Sequence, residues 1–277
     1  MSVQTSYTEA PLTARKGALA DGDHKIESGR ATAAAVVGNL VSLSGLAAGD
    51  LDAADVAPLA ALSVSATAIL AATATAATAL AVTSASTPAL TVTKLSPARR
   101  ITAVLSSHAN WDVGTLQIIG EGWDGTPIQE TLTVPDAGNV TLTTQQYFSR
   151  VTAVNLSAMA GTGGSFTMGY TADEGIYDPE TVGVLIRDTS REPLDSSDQV
   201  AQYDRVNVLL QGKIYVASEA TVSGRGPAYL RTATSGGDVR GQWSSSPGTG
   251  FTVQPWAEFV TTDDAATVKI AVLRKKQ

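Results

Sequence analysis

Val206-Asn207-Val208-Leu209-Leu210-Gln211-Gly212-Lys213-Ile214-Tyr215-Val216 decides the fold class. Val206, Val208 and Leu210 alternate with Asn207, Leu209 and Gln211, and Ile214 and Val216 alternate with Lys213 and Tyr215. A period of two puts one set of side chains on one face of a sheet and the other set on the opposite face. Gly212 reads as a turn between two strands. The final strand, Thr267-Val268-Lys269-Ile270-Ala271-Val272-Leu273, repeats the pattern.

Working toward the N-terminus, residues 90–170 read as a series of short strands. They include Gly114-Thr115-Leu116-Gln117-Ile118-Ile119-Gly120, Gln129-Glu130-Thr131-Leu132-Thr133-Val134, Val140-Thr141-Leu142, Val151-Thr152-Ala153-Val154-Asn155-Leu156 and Ser165-Phe166-Thr167-Met168-Gly169-Tyr170. Trp123-Asp124-Gly125-Thr126 predicts a tight hairpin, because Asp-Gly supplies the positive φ values such turns need. Strands at this spacing indicate a sandwich or barrel. A second β series opens at Thr181-Val182-Gly183-Val184-Leu185-Ile186-Arg187-Asp188, and a polar loop from Thr189 to Gln202 leads into the stretch quoted first.

The front of the chain is less regular. The first 25 residues read as an arm. Arg30 to Val37 reads as a strand of small residues, Gly38-Asn39 as a turn and Leu40-Val41-Ser42-Leu43 as its hairpin partner. Residues 47–62 allow a short helix capped by Asp50. From residue 63 the Ala, Thr and Ser texture has no apolar stripe at helical spacing, so strand and loop are expected.

The chain has 277 residues, 43% of them hydrophobic and only 5% aromatic, so its core must be Val, Leu, Ile and Ala. It has no cysteine, which excludes disulfides, thiolate nucleophiles and cysteine-ligated zinc. A net charge of -7 without clustered Lys and Arg argues against a nucleic-acid partner. Arg274-Lys275-Lys276 is too short to change this and reads as a solubilising tail. Met1-Ser2-Val3-Gln4-Thr5 lacks the basic start and apolar run of a signal peptide. Pro58 to Leu95 is uncharged apart from Lys94, but its threonines and serines argue against a membrane span. The expectation is a soluble protein that is not secreted.

Candidate chemistry is sparse. His24 in Asp21-Gly22-Asp23-His24 has a carboxylate close enough in sequence to orient a base, but solvated turns look the same. Asp21 and Asp23 flank a glycine as in calcium loops, without the later acidic ligands. His108 reads as a loop residue. The glycine clusters at 161–164, 224–226 and 248–250 lack the strand–helix setting of a phosphate cradle. No catalytic residue, metal ligand or cofactor is expected. Among the tryptophans, Trp123 beside its turn should be half exposed and Trp256 beside the final strands should be core. Trp243, in the polar run Gly241 to Gly250, is a candidate interface anchor.

The outer parts of the chain resemble the structural cement proteins of tailed-phage heads. The residues that carry this are Ile26-Glu27-Ser28-Gly29-Arg30-Ala31 through Val36-Val37-Gly38, Val182 to Asp188, Val206 to Val216, Pro227-Ala228-Tyr229-Leu230, and Trp256-Ala257-Glu258-Phe259-Val260-Thr261-Thr262 with the last strand. The middle, from about 60 to 175, resembles a β-sandwich module of phage structural proteins. That likeness rests on Ser96-Pro97-Ala98-Arg99-Arg100-Ile101, Gly120-Glu121-Gly122-Trp123-Asp124-Gly125, Glu130-Thr131-Leu132 and Phe148-Ser149-Arg150-Val151-Thr152-Ala153-Val154.

The resemblance implies an all-β protein: an arm (1–25), a discontinuous barrel or jelly-roll-like cement domain (26–58 and 176–277) and an inserted β-sandwich (59–175). It implies a decoration protein on the outer surface of the virion capsid, stabilising the head by bridging major capsid subunits. The partners expected are the major capsid protein and further copies of this chain, a trimer ahead of a dimer. The candidate contacts are Tyr7, Pro11, Leu12 and Arg15 in the arm, Trp243, and Arg274 and Lys275 at the end. The alternative is an adhesin whose inserted sandwich stacks host glycans on Trp111, Trp123 and Tyr147.

Overall fold

The computed structural model describes residue 19 and residues 24–44, 55–74, 79–106, 113–136, 138–157, 164–170, 174–186, 199–222, 224–234, 239–262 and 268–272. Among these residues every regular element is a strand. In chain order they are β1 (Lys25–Ala31), β2 (Ala35–Val36), β3 (Leu40–Ser44), β4 (Asp55–Pro58), β5 (Ser65–Ala74), β6 (Leu80–Thr83), β7 (Lys94–Arg99), β8 (Ile101–Ser106), β9 (Gly114–Gly122) and β10 (Pro127–Val134). Then follow β11 (Val140–Thr143), β12 (Phe148–Leu156), β13 (Ser165–Tyr170), β14 (Val182–Leu185), β15 (Gln199–Val200), β16 (Arg205–Val216), β17 (Gly226–Arg231), β18 (Trp243–Ser244), β19 (Phe251–Thr262) and β20 (Val268–Val272).

Strands from the two ends of the chain share one nine-stranded sheet, ordered β1-β4-β3-β14-β16-β20-β19-β17-β18. β1 also pairs antiparallel with β16, from Lys25 opposite Gln211 to Arg30 opposite Arg205. The pairings of β1, β4, β3, β14 and β16 therefore close on themselves. A cluster of Ala31, Val41, Leu43, Val56, Leu185, Val206, Val208 and Leu210 takes residues from all five. Closing the cycle leaves those strands no open edge.

The middle of the chain makes two smaller sheets. One is ordered β10-β9-β12-β6, with β7 also on β12; the other is β11-β8-β13-β5. Alternation dictates their packing. In β9, Leu116 and Ile118 are buried while Thr115 and Gln117 point away. Leu116, Ile118, Phe148, Val151 and Val154 from the first sheet meet Ile69, Leu70, Ile101, Leu105, Phe166 and Met168 from the second in one core. Each fully buried side chain of this size contributes about 1.5–3 kcal/mol. The hairpin at 123–126 forms as expected: Gly125 has φ 75°, and the Asp124 carboxylate accepts from the Thr126 amide at 3.0 Å.

Three local expectations fail. First, Gly212 is not a turn but lies inside β16, with φ 130°. Before it β16 pairs with β1 and β14, and from it onward with β20. Val206, Val208 and Leu210 enter the five-strand core, whereas Ile214 and Val216 join Leu209 in the neighbouring core. The glycine therefore changes which face the even-numbered residues present, a twist that a side chain would resist. Second, β3 does not pair back across Gly38-Asn39. It pairs with β4 and β14, while β2 pairs with β15. Third, residues 55–58, within the expected helix, form β4, because partners on β3 and β1 outweigh local propensity; Asp50 lies outside the described residues. The nearly uncharged stretch after Pro58 forms β5 and β6, and among the described residues no helix is long and apolar enough to cross a membrane.

Candidate functional site

The residues from Glu174 to Asp178 connect the smaller sheets to the large one, and their backbone is paired on both flanks. On one side Ile176 and Ala98 exchange two hydrogen bonds of 2.9 Å. On the other, alternate residues of β19 supply the partners. The Gly175 amide donates to Thr252 Oγ1 at 3.1 Å and the Tyr177 amide to Gln254 Oε1 at 3.0 Å. Gln254 Nε2 donates to the Gly175 carbonyl at 3.1 Å, and Trp256 Nε1 donates to the Tyr177 carbonyl at 2.8 Å. Thr252, Gln254 and Trp256 are all buried. A buried amide left unpaired costs about 1–3 kcal/mol, so these bonds hold the segment in one place.

Aromatic side chains seal this joint. Trp123 and Tyr147 from the smaller sheets, with Leu62, pack on the core that contains Ile176, Trp243 and Trp256. Two shallow cavities of about 290 and 230 Å³ flank Trp123 and share Ile176 as a wall; the first also has Tyr147 and the second Pro97. The Tyr147 hydroxyl donates to Glu174 at 3.3 Å, and Arg100 pairs with the same carboxylate at 3.2 Å. Burial, reinforced by the charge of Glu174, pushes the Tyr147 phenol up to about 12. Burial alone pushes Tyr177 up to about 12, against the nearby charges of Arg240 and Arg99. The Tyr177 hydroxyl is buried without a hydrogen-bond partner.

Trp243 is not a surface anchor. It is 0% exposed, sits edge-on to Trp256 at 6.2 Å between ring centroids, and donates to the Gly38 carbonyl at 3.2 Å. Its polar neighbours misdirect the reading because they bond locally: Ser244 Oγ donates to the Ser246 carbonyl. Trp256 is core and Trp123 half-buried, as expected. Tyr7, Pro11, Leu12, Arg15, Arg274 and Lys275 lie outside the described residues, as do Asp21, Asp23, His108 and Trp111. His24 Nε2 donates to the Lys213 carbonyl at 3.1 Å. Among the described residues, no three His, Cys, Asp or Glu side chains come together to hold a metal. The sequence reading missed Gln254 and Tyr177; the one available signal was the alternation Thr252, Gln254, Trp256.

The arrangement is one of faces, edges and a joint. Comparison with protein families places it. A family model described as structural cement protein (E217 gp24/Pam3 gp6) matches residues 128–274, more than half of the chain. The chain belongs to that family. It is accordingly a phage structural protein with a capsid-stabilising role, a component of the virion capsid that binds capsid proteins, and its role is structural rather than enzymatic. The match begins in β10 and ends beyond β20, so it takes in the second half of the smaller sheets, the joint and the larger part of the nine-stranded sheet. Neither the curated proteins nor the solved structures contain a significant match.

Proposed function

We propose that this chain decorates the outer surface of an assembled head and stabilises it by bridging neighbouring major capsid subunits. The observation that carries this reading is the family match over residues 128–274. A shell under pressure from packed DNA fails by separation of its subunits. A clamp with several modest contacts raises the cost of separation through multivalency. In this reading residues 26–58 and 176–277 form the cement domain, with the closed cycle of five strands as its barrel. Residues 59–175 form an inserted sandwich that projects from it. Residues 1–25 form the arm, in which Tyr7, Pro11, Leu12 and Arg15 contact the capsid together with Arg274 and Lys275. Copies assemble symmetrically, a trimer ahead of a dimer, to match the local axes of a capsid.

The test is addition of purified protein to undecorated heads. Binding at fixed stoichiometry should raise the temperature at which the heads rupture. Unchanged rupture at full occupancy defeats the stabilising role. Deleting residues 1–20 should weaken head binding more than folding; equal affinity without them removes the arm from the mechanism.

A second reading, glycan binding by the smaller sheets, is favoured by one observation: Trp123 and Tyr147 line the same cavity. A glycan array probed with the whole chain tests it, and Trp123→Ala should abolish any signal.

A further inference from the structure

We propose that the two cavities flanking Trp123 are consecutive subsites for a neutral glycan, at least two sugar units long, that runs across the indole. The inference rests on the glycan-binding reading above and supplies the ligand class that reading leaves open.

The first observation is shape. Trp123 stands in the turn between β9 and β10, and its place there is fixed. Gly125 holds the turn with φ 75°, and the Asp124 carboxylate accepts from the amide and the hydroxyl of Thr126, at 3.0 and 2.6 Å. The indole is half-buried, and cavities of about 290 and 230 Å³ share it and Ile176 as walls. Protein interiors are close-packed, with few voids larger than a water molecule. A tryptophan that served packing alone would close such spaces. A partition with room on both sides serves a ligand longer than either cavity.

The second observation is the chemistry of the walls. Each cavity sets apolar surface beside polar groups. In the first, Trp123, Tyr147 and Ile128 lie with Gln146 and Thr126. In the second, Leu95 and Pro97 lie with Ser96 and Asp178. A pyranose ring has the matching pair of surfaces: a face of C–H bonds that lies on an apolar wall, and an edge of hydroxyls. A chain of such rings repeats the match once per cavity. A wholly apolar ligand would leave the polar groups desolvated and unpaired. An extended peptide is held mainly by main-chain bonds to a sheet edge, whereas the polar groups here belong to side chains.

The third observation is hydrogen-bonding capacity and the sign of the charge. The Gln146 side-chain nitrogen donates to the Gln129 carbonyl at 3.3 Å, and one Asp178 carboxylate oxygen accepts from the Glu180 amide at 2.9 Å. Among the described residues, the Gln146 side-chain oxygen and the second Asp178 oxygen have no such partner, and both residues are exposed. An amide oxygen and an ionised carboxylate only accept, so they call for a ligand rich in donors, as hydroxyls are. Of the described residues that line the cavities none is Lys or Arg, whereas Asp124 and Asp178 are among them. With a net charge of -7 on the chain, the site repels phosphate, sulfate and carboxylate, so it selects neutral sugars over acidic ones.

The test starts with the whole chain on an array of neutral, sialylated and sulfated glycans. Neutral glycans should bind, and their sialylated or sulfated counterparts at least about tenfold more weakly. Calorimetry then takes the brightest neutral glycan with its disaccharide and monosaccharide fragments. The disaccharide should bind at least about tenfold tighter than the monosaccharide, because it fills both cavities. Gln146→Ala and Asp178→Asn alter exposed side chains and should keep the melting temperature, while each weakens the disaccharide about fivefold. Asp178→Asn should also narrow the gap between neutral and sialylated glycans. Equal binding of monosaccharide and disaccharide, equal binding of neutral and sialylated glycans, or variants that bind as the parent does overturn the subsites alone. An array without signal overturns the glycan reading and the subsites together; protection of the Trp123 amide from hydrogen exchange by undecorated heads would then assign the cavities to a capsid segment.

Discussion

The core between the two smaller sheets and the core beside the joint are held by different means. The first is a layer of aliphatic side chains with Phe148 and Phe166, delivered by strands whose faces alternate. The second is built around Trp243 and Trp256, set edge to face at 85°. Each of these tryptophans also gives its indole N–H to a backbone carbonyl far away in sequence: Gly38 for Trp243, 205 residues off, and Tyr177 for Trp256, 79 residues off. Alternation is enough to make two sheets face each other. Joining segments that are not neighbours in any sheet takes point anchors that combine burial with a directed hydrogen bond.

The largest effect that can test this difference is at Trp243. Trp243→Ala should lower stability by about 4 kcal/mol in urea denaturation. Trp243→Phe keeps most of the burial but leaves the Gly38 carbonyl unpaired, and should still lose about 1–2 kcal/mol. If the Phe variant were as stable as the parent, the anchor would reduce to packing and the two cores would be alike.

An intermediate effect is expected at Gln254. Gln254→Ala strips partners from the Tyr177 amide and the Gly175 carbonyl, for a loss of about 2–3 kcal/mol. Amide hydrogen exchange should accelerate at Tyr177 while amides of β9 keep their protection. Equal acceleration in both would mean that the joint is no more dependent on directed bonds than the sheets.

The smallest effect at neutral pH is at Tyr177. Tyr177→Phe deletes a buried hydroxyl without a partner and should stabilise by up to about 1 kcal/mol. Alkali magnifies the difference. Tyr177 and Tyr147 titrate near 12 in the fold against an ordinary value of 10.0. Above that ordinary value the unfolded chain releases protons that the folded chain retains. Stability is therefore complete below pH 10 and drains away as pH rises toward 12. Thermal melts across this window should show a shallower decline for Tyr177→Phe than for the parent.

The strands were legible wherever one face meets a core and the other meets water or a polar neighbour, as in β9, β10, β12 and the second half of β16. The hairpin at Asp124-Gly125 was legible because its φ requirement is local. What lay beyond reading was set by partners distant in sequence. Residues 55–58 carry alanine, proline and an aspartate, and only pairing with β3 and β1 makes them a strand. Trp243 sits among serines and glycines, which look like surface until their hydrogen bonds are traced. The opposition of Arg30 and Arg205 depends on a register between residues 175 positions apart, which no local pattern encodes.

The switch of faces at Gly212 has a mechanical consequence. The first half of β16 is bonded to β1 and the second half to β20, so a pull on β1 passes across their shared bonds and along β16 into the strands that carry Trp256. Tension on such a path loads the inter-strand bonds side by side, in shear, instead of peeling them one after another from a free end. Strands wired in this way yield late and all at once, which suits a protein whose role is to stabilise a capsid.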